Sequence, residues 1–289
     1  MVVVEVVFLT FFWTWVACAL VFLRNTIPPP SSLTANPEQL GLPSQTVRFQ
    51  ATDGLQLEGW MIRSDPARPW IILCHGAGTN RTDLLDLAAG LHAERFNLLV
   101  FDFRGHGGSA GRTTSFGWTE QRDVEGALTF LGQHPEVADQ PYGIYGVSMG
   151  GAVALMVAAR DERLGAIAVD RPYTNLEAAL AHTIRLTYRL PAAPFLWCVL
   201  ATYRLRFGVW PRRVSPDAVV SQLAPRPLWL VQGGAASRVP MKTIQTRCAR
   251  ASQPTTLWVS SGAGHLEAFN VDPKGYLTRL ARFFDSALA

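Results

Sequence analysis

The sequence predicts an α/β fold: a mostly parallel sheet of eight strands, helices on both faces, a small helical cap and an N-terminal transmembrane helix. Three observations predict it. Short β-like runs alternate with stretches of helical spacing, the order that builds βαβ units. Several of those runs are continuously apolar, as strands buried on both faces must be. An uncharged apolar run of 18 residues precedes them all.

That run is Val6 to Leu23, VVFLTFFWTWVACALVFL, and Val2 to Val4 extend it. At about 1.5 Å per residue it nearly spans a hydrocarbon core. A cleaved signal peptide needs a basic start and a small-residue cleavage site. Here the start carries Glu5 and no Lys or Arg, and Ala17-Cys18-Ala19 is followed by more apolar chain. Cys18 as a lipoprotein site fits poorly with Trp15 and Val16 before it. Residues 1–24 are therefore read as an uncleaved single-pass anchor that meets the membrane through residues 2–23. Arg24, the nearest basic residue, favours a cytoplasmic catalytic domain only weakly, and the side stays open. Residues 25–45 are read as a linker, Pro- and Ser-rich between Ile27 and Pro43. Residues 46–289 form the domain.

Within the domain, the runs at Thr46–Ala51 and Leu55–Ile62 flank Asp53-Gly54, a hairpin turn signal. Trp70–Cys74, Asn97–Phe103, Tyr142–Val147, Ala166–Asp170, Leu228–Gln232 and Thr256–Ser260 read as further strands. Helical spacing appears in Thr82–Glu94, Trp118–Leu131, Met149–Arg160, Met241–Ala251 and Pro273–Leu288. Ligand sites in such sheets lie at the carboxyl ends of the strands.

Composition narrows the function classes. Hydrophobic residues make up 48% and charged residues 17%, which argues for a packed core and against disorder. The net charge of +4 is almost all arginine, since Lys242 and Lys274 are the two lysines. No basic run or motif suggests a nucleic-acid partner. Cys18, Cys74, Cys198 and Cys248 lie far apart without metal-ligand spacing, so no disulfide, metal or cofactor is expected.

Gly146-Val147-Ser148-Met149-Gly150 is G-x-S-x-G, placed between a strand and a helix. A sharp turn there presents the serine hydroxyl, and the glycines avoid clashes in it. The helix N-terminus favours developing negative charge. Ser148 is the candidate nucleophile.

His75-Gly76-Ala77-Gly78 follows the third strand, Asp102-Phe103-Arg104-Gly105-His106-Gly107-Gly108-Ser109 the fourth, and Gly264-His265 the last. These motifs, in this order, resemble the α/β-hydrolase superfamily, specifically its membrane-anchored serine hydrolase branch, over roughly Thr46 to Leu288. The resemblance implies an oxyanion hole from the backbone N–H groups of Ala77 and Met149. It implies His265 as general base, with His75 structural. The D-x-R-G-x-G-x-S stretch is read as loop-shaping, and His106 as base is the weaker alternative. The superfamily places its acid in G-x-x-D-x-x-V-P. The matching stretch here is Gly233-Gly234-Ala235-Ala236-Ser237-Arg238-Val239-Pro240, with Ala236 where the carboxylate belongs. Asp170 in Asp170-Arg171-Pro172-Tyr173 is the candidate replacement, with a structural role as its rival. Glu267 is a poorer candidate because it would have to fold back onto the His265 ring.

The stretch at about 171–216 is expected to form the cap. From Ala178 to Pro216 it holds six arginines and no acid: Arg185, Arg189, Arg204, Arg206, Arg212 and Arg213. Two readings stand: a cap facing an anionic bilayer and admitting a lipophilic ester, or a cap packed on the core with its arginines in water. The implied activity is serine hydrolysis of a small-molecule or lipid ester, thioester or amide. Transfer to another acceptor would use the same residues. The alternative is a membrane-tethered binding or scaffold protein with impaired turnover.

Overall fold

The computed structural model describes the chain except residues 1, 30, 31, 135, 136, 138, 139, 234–238, 240, 252, 253 and 261–267. Eight strands form one sheet: β1 (Ser44–Gln50), β2 (Gln56–Ile62), β3 (Trp70–Cys74), β4 (Asn97–Phe101), β5 (Tyr142–Val147), β6 (Leu164–Asp170), β7 (Leu228–Gly233) and β8 (Thr255–Ser260). Their order is β1-β2-β4-β3-β5-β6-β7-β8. The β1–β2 and β2–β4 pairs are antiparallel, and every later pair is parallel. The Asp53-Gly54 turn is present: Gly54 donates to the Ala51 carbonyl at 2.8 Å with φ +82°.

The helices are α1 (Val2–Asn25), α2 (Leu85–Ala93), α3 (Gln121–Gly132), α4 (Met149–Ala158), α5 (Leu176–Leu186), α6 (Phe195–Phe207), the short α7 (Pro216–Val219), α8 (Met241–Ala251), the short α9 (Ala268–Val271) and α10 (Pro273–Ala287). Alternating strand residues feed two cores. Ile72 and Cys74 of β3 join Val153, Val157 and Leu128 on the α3/α4 face. Ile71 and Leu73 join Leu91, Leu280 and Phe284 on the α2/α10 face. A strand apolar on both faces has no polar alternation, which is why these strands read as continuous apolar runs.

Two helix starts differ from expectation. The helix predicted from Thr82 opens as a 3₁₀ turn at Arg81–Leu84, because Asn80 caps the Thr82 N–H at 2.9 Å and Arg81 donates its N–H to Asp102. The helix predicted from Trp118 begins at Gln121. Fully buried Glu120 gathers the N–H groups of Ser115 and Gly117, and the Ser115 hydroxyl takes those of Trp118 and Thr119, so this stretch closes as a loop.

Helices α5 and α6 lie within the 171–216 stretch read as a cap. Tyr203 anchors it by donating to the Ser115 carbonyl at 2.9 Å. Thr26, Ser32 and Thr34 of the stretch read as a linker are tied to the domain. Thr114 donates to the Thr26 carbonyl at 2.7 Å, Asn80 to the Ser32 carbonyl at 3.3 Å, and the Thr34 and Thr82 hydroxyls meet at 3.2 Å. Helix α1 is long and apolar enough to cross a membrane, with a mean hydropathy of 2.3 in an 18-residue window within Val4–Asn25.

Beneath the strand ends, Arg104 joins Asp123 at 2.6 Å and Asp53 at 2.9 Å. Asp123 is fully buried. Removing the cation strands a buried carboxylate, so Arg104→Ala is expected to cost about 3–5 kcal/mol. Chemical denaturation of the variant checks this.

Candidate active site

Ser148 sits between β5 and α4 with φ +53° and ψ −113°, a conformation that L residues rarely adopt. Its N–H donates to the Asp170 carbonyl at 2.8 Å, and its own carbonyl accepts from Ala152 at 3.0 Å. The turn is closed by backbone packing. A Cβ on Gly150 would run into the Cys74 and His75 carbonyls, and one on Gly146 into the Gly150 carbonyl. The glycines of the motif thus let α4 press against the end of β3, leaving the serine at the sharp bend.

The turn after β3 lies beside it: an added Cβ on Gly76 would sit 3.7 Å from the Ser148 Cβ. Two buried imidazoles shape this turn. His75 Nε2 accepts from the Phe103 N–H at 3.0 Å, which leaves Nδ1 as the donor to the Gly76 carbonyl at 2.7 Å. Burial pushes the His75 ring down to about 3, so it is neutral. His106 Nε2 accepts from the Gly78 N–H at 3.1 Å, and its Nδ1 then donates to the Arg104 carbonyl at 2.9 Å. Burial also lowers its pKa. The acceptor nitrogen of His106 is therefore occupied, which accounts for a shaping role and argues against a base role. The two rings meet edge to face at 5.1 Å.

The rest of the D-x-R-G-x-G-x-S loop is also occupied. Asp102 accepts from the Arg81 guanidinium at 2.8 Å, the Arg81 N–H at 2.7 Å and the Gly108 N–H at 2.8 Å. Arg81 reaches on to Glu58 at 2.8 Å and lies 4.5 Å from the Trp60 ring centre. The Ser109 hydroxyl donates to the Asp102 carbonyl and accepts from the Glu58 N–H.

Asp170 pairs in register with Val147, one residue before the nucleophile, and is buried. Its Oδ1 accepts from Arg171 Nε at 2.6 Å. Its Oδ2 accepts from the Tyr276 hydroxyl at 3.0 Å and an Arg171 terminal nitrogen at 3.2 Å. Tyr145 stands 2.9 Å behind Tyr276. Burial raises the Asp170 pKa, against the pull of Arg171 and Tyr276. A cavity of about 210 Å³ runs along Gly76, Thr79, Val147, Asp170, Arg171 and Phe269. Phe269 and Asn270 of α9 also line it. His265, Ala236 and Glu267 lie outside the described residues. Ala77 is exposed beside the turn and Met149 is buried at the first position of α4.

The Arg171–Tyr276–Tyr145 set around Asp170 was missed in the sequence. Arg171 was visible as the neighbour of Asp170, but Tyr276 lies 106 residues away on a helix whose pattern signals only packing. Among the described residues no His, Cys, Asp and Glu cluster could hold a metal.

The profile described as "Alpha/beta hydrolase family" matches residues 71–284. Protein YqkD of Bacillus subtilis is 27% identical over 235 residues, covering 81% of this chain and 76% of its own. A Pyrococcus furiosus esterase, Pf2001, superposes with a TM-score of 0.77 at 24% identity, over 91% of this chain and 98% of that one. A bacterial membrane phospholipase A superposes with a TM-score of 0.65 at 16% identity, over 99% and 96% of the two chains.

A pH test follows from His75. Its folded pKa lies below the ordinary value near 6.5, so its contribution is complete above that pH and is lost as pH falls toward 3. The stability advantage of the parent over His75→Gln is expected to narrow steadily from pH 7 to pH 5, read by thermal unfolding (about one ring's titration).

Proposed function

The chain belongs to the alpha/beta hydrolase family, and from that premise we propose that it is a membrane-anchored serine hydrolase of carboxylic esters. The observation that carries this reading is Ser148, held at φ +53° on a turn that only the motif glycines allow, beside a turn built by two neutral histidines. Strain at such a position is maintained by the surroundings and marks functional sites.

In this mechanism Ser148 Oγ attacks the ester carbonyl, forming a tetrahedral adduct, while His265 takes the hydroxyl proton. The N–H groups of Ala77 and Met149 stabilise the oxyanion, aided by the N-terminus of α4. The His265 proton passes to the leaving alkoxide as the carbon–oxygen bond breaks. Water, deprotonated by His265, then releases the acid and restores Ser148. From the end of β6, Asp170 orients the imidazole of His265 and stabilises its protonated form. The esterase and phospholipase likenesses support ester substrates, and the cap with its apolar and arginine side chains supports lipophilic ones.

A second reading has its own observation. Ala236 stands at the usual acid position, and the Asp170 carboxylate already carries Arg171 and Tyr276. A protein with these features could bind ligand with little turnover. In a serine protease, loss of acid function at this point in the triad lowers kcat about 10⁴-fold while leaving activity above water.

Hydrolysis of p-nitrophenyl esters by the parent, Ser148→Ala, Asp170→Asn and Ala236→Asp separates the two. The hydrolase reading expects parent activity, its loss in Ser148→Ala by about 10³-fold or more, and a similar loss in Asp170→Asn. An inactive parent that gains turnover in Ala236→Asp supports the second reading.

A further inference from the structure

Helix α1 does not stand apart from the domain. It lies against cap helix α6, and the matching levels show that the two run parallel. Phe11 and Thr14 of α1 share a groove with Pro194 at the start of α6. One turn on from Thr14 stands Cys18, and one turn on from Pro194 stands Cys198, which lines the same groove. A turn further, the rings of Phe22 and Tyr203 are 6.1 Å apart. Phe22, Val199 and Tyr203 are buried together in one apolar cluster.

This register has a consequence for depth, resting on the reading of α1 as a membrane span. Thr14 lies ten residues before Arg24, or about 15 Å along the helix. That is about half of a hydrocarbon core of roughly 30 Å. Pro194 and Cys198, level with Thr14 and Cys18, then lie inside the same leaflet. The cap sequence suits that position. From Leu190 to Tyr203 it carries no charge for 14 residues, and Arg189 and Arg204 close the stretch at either end. Trp197 is 69% exposed there, and Leu190 is exposed as well. The entry turn is also sparing in backbone donors. Pro191 and Pro194 have no N–H, and the N–H groups of Leu190, Leu196 and Trp197 bond to the carbonyls of Ile184, Ala192 and Pro194. Each N–H so paired, and each one that proline removes, lowers the cost of placing this turn in lipid. Arg185, Arg189, Arg204 and Arg206 are all exposed around this stretch and match an anionic headgroup layer.

We propose that Leu190–Tyr203 is a second membrane-embedded element, a half-span beside α1. The groove of about 320 Å³ between them, lined by Val6, Thr10, Phe11, Thr14, Pro194 and Cys198, holds an acyl chain of an anionic phospholipid. The cap therefore draws on lipid laterally, from the leaflet it occupies.

The test uses the full chain in vesicles of phosphatidylcholine and phosphatidylglycerol, the latter bearing a mid-chain diazirine. After irradiation, digestion and mass spectrometry map the lipid adducts. Adducts are expected on α1 and on the 190–203 peptide together. Trp197→Asp, a change at an exposed side chain, is expected to lower the 190–203 adduct at least about tenfold while the α1 adduct persists. Adducts on α1 with none on 190–203 overturn the proposal and leave the anchor in place. Cross-links between 190–203 segments of two chains, in place of lipid adducts, also overturn it and assign the face to a second copy. No adducts on either segment overturn the anchor reading itself.

Discussion

The bend between β5 and α4 depends on backbone approaching backbone without side chains between. Gly150 packs under the Cys74 and His75 carbonyls, and Gly146 under Gly150. This contact fixes the end of β3 against the start of α4, so the Ser148 hydroxyl and the turn at His75–Gly78 are placed by the same constraint. It also explains the strain at Ser148. A residue at φ +53° persists because the strand before it and the fully buried helix after it leave the chain no other route. The first amides of α4 follow directly on this bend.

Around this bend lies a shell of polar groups, each committed to a partner. The two imidazoles accept backbone N–H groups from the loops they brace and are kept neutral by burial. The Asp102–Arg81–Glu58 and Asp53–Arg104–Asp123 chains hold the loop after β4 from two sides. Breaking one partner of such a network leaves a buried charge uncompensated, which gives these loops their rigidity. Asp170 belongs to this shell through Arg171 and Tyr276, yet its backbone carbonyl also holds Ser148. Its side chain is thus held by the scaffold while its backbone holds the Ser148 turn.

The cap and the N-terminal helix are coupled in the same manner. Phe22 and Tyr203 share an apolar cluster, Tyr203 is tied to the Ser115 carbonyl, and the Ser115 loop is gathered by Glu120. The linker then passes the Gly78 turn and fastens at Asn80 and Thr82. Helices α1 and α6 are thereby connected to the loops that surround Ser148.

The sequence by itself determined the strands, because a run buried on both faces is apolar without interruption; β3 and β5 appeared at their observed bounds. It also determined the tight turn at Ser148, since glycines around a serine between strand and helix permit little else, and the long apolar N-terminal helix, whose lack of charge needs no partner to be read. Tertiary structure decided the roles of the polar residues. That His106 spends its acceptor nitrogen on Gly78, that Tyr276 reaches Asp170 across 106 residues, and that Thr26, Ser32 and Thr34 are tied to the domain all depend on long-range contacts. Hydrophobic period records which face a residue presents, but a hydrogen bond is set by where a distant partner arrives. That information exists only once the chain has folded.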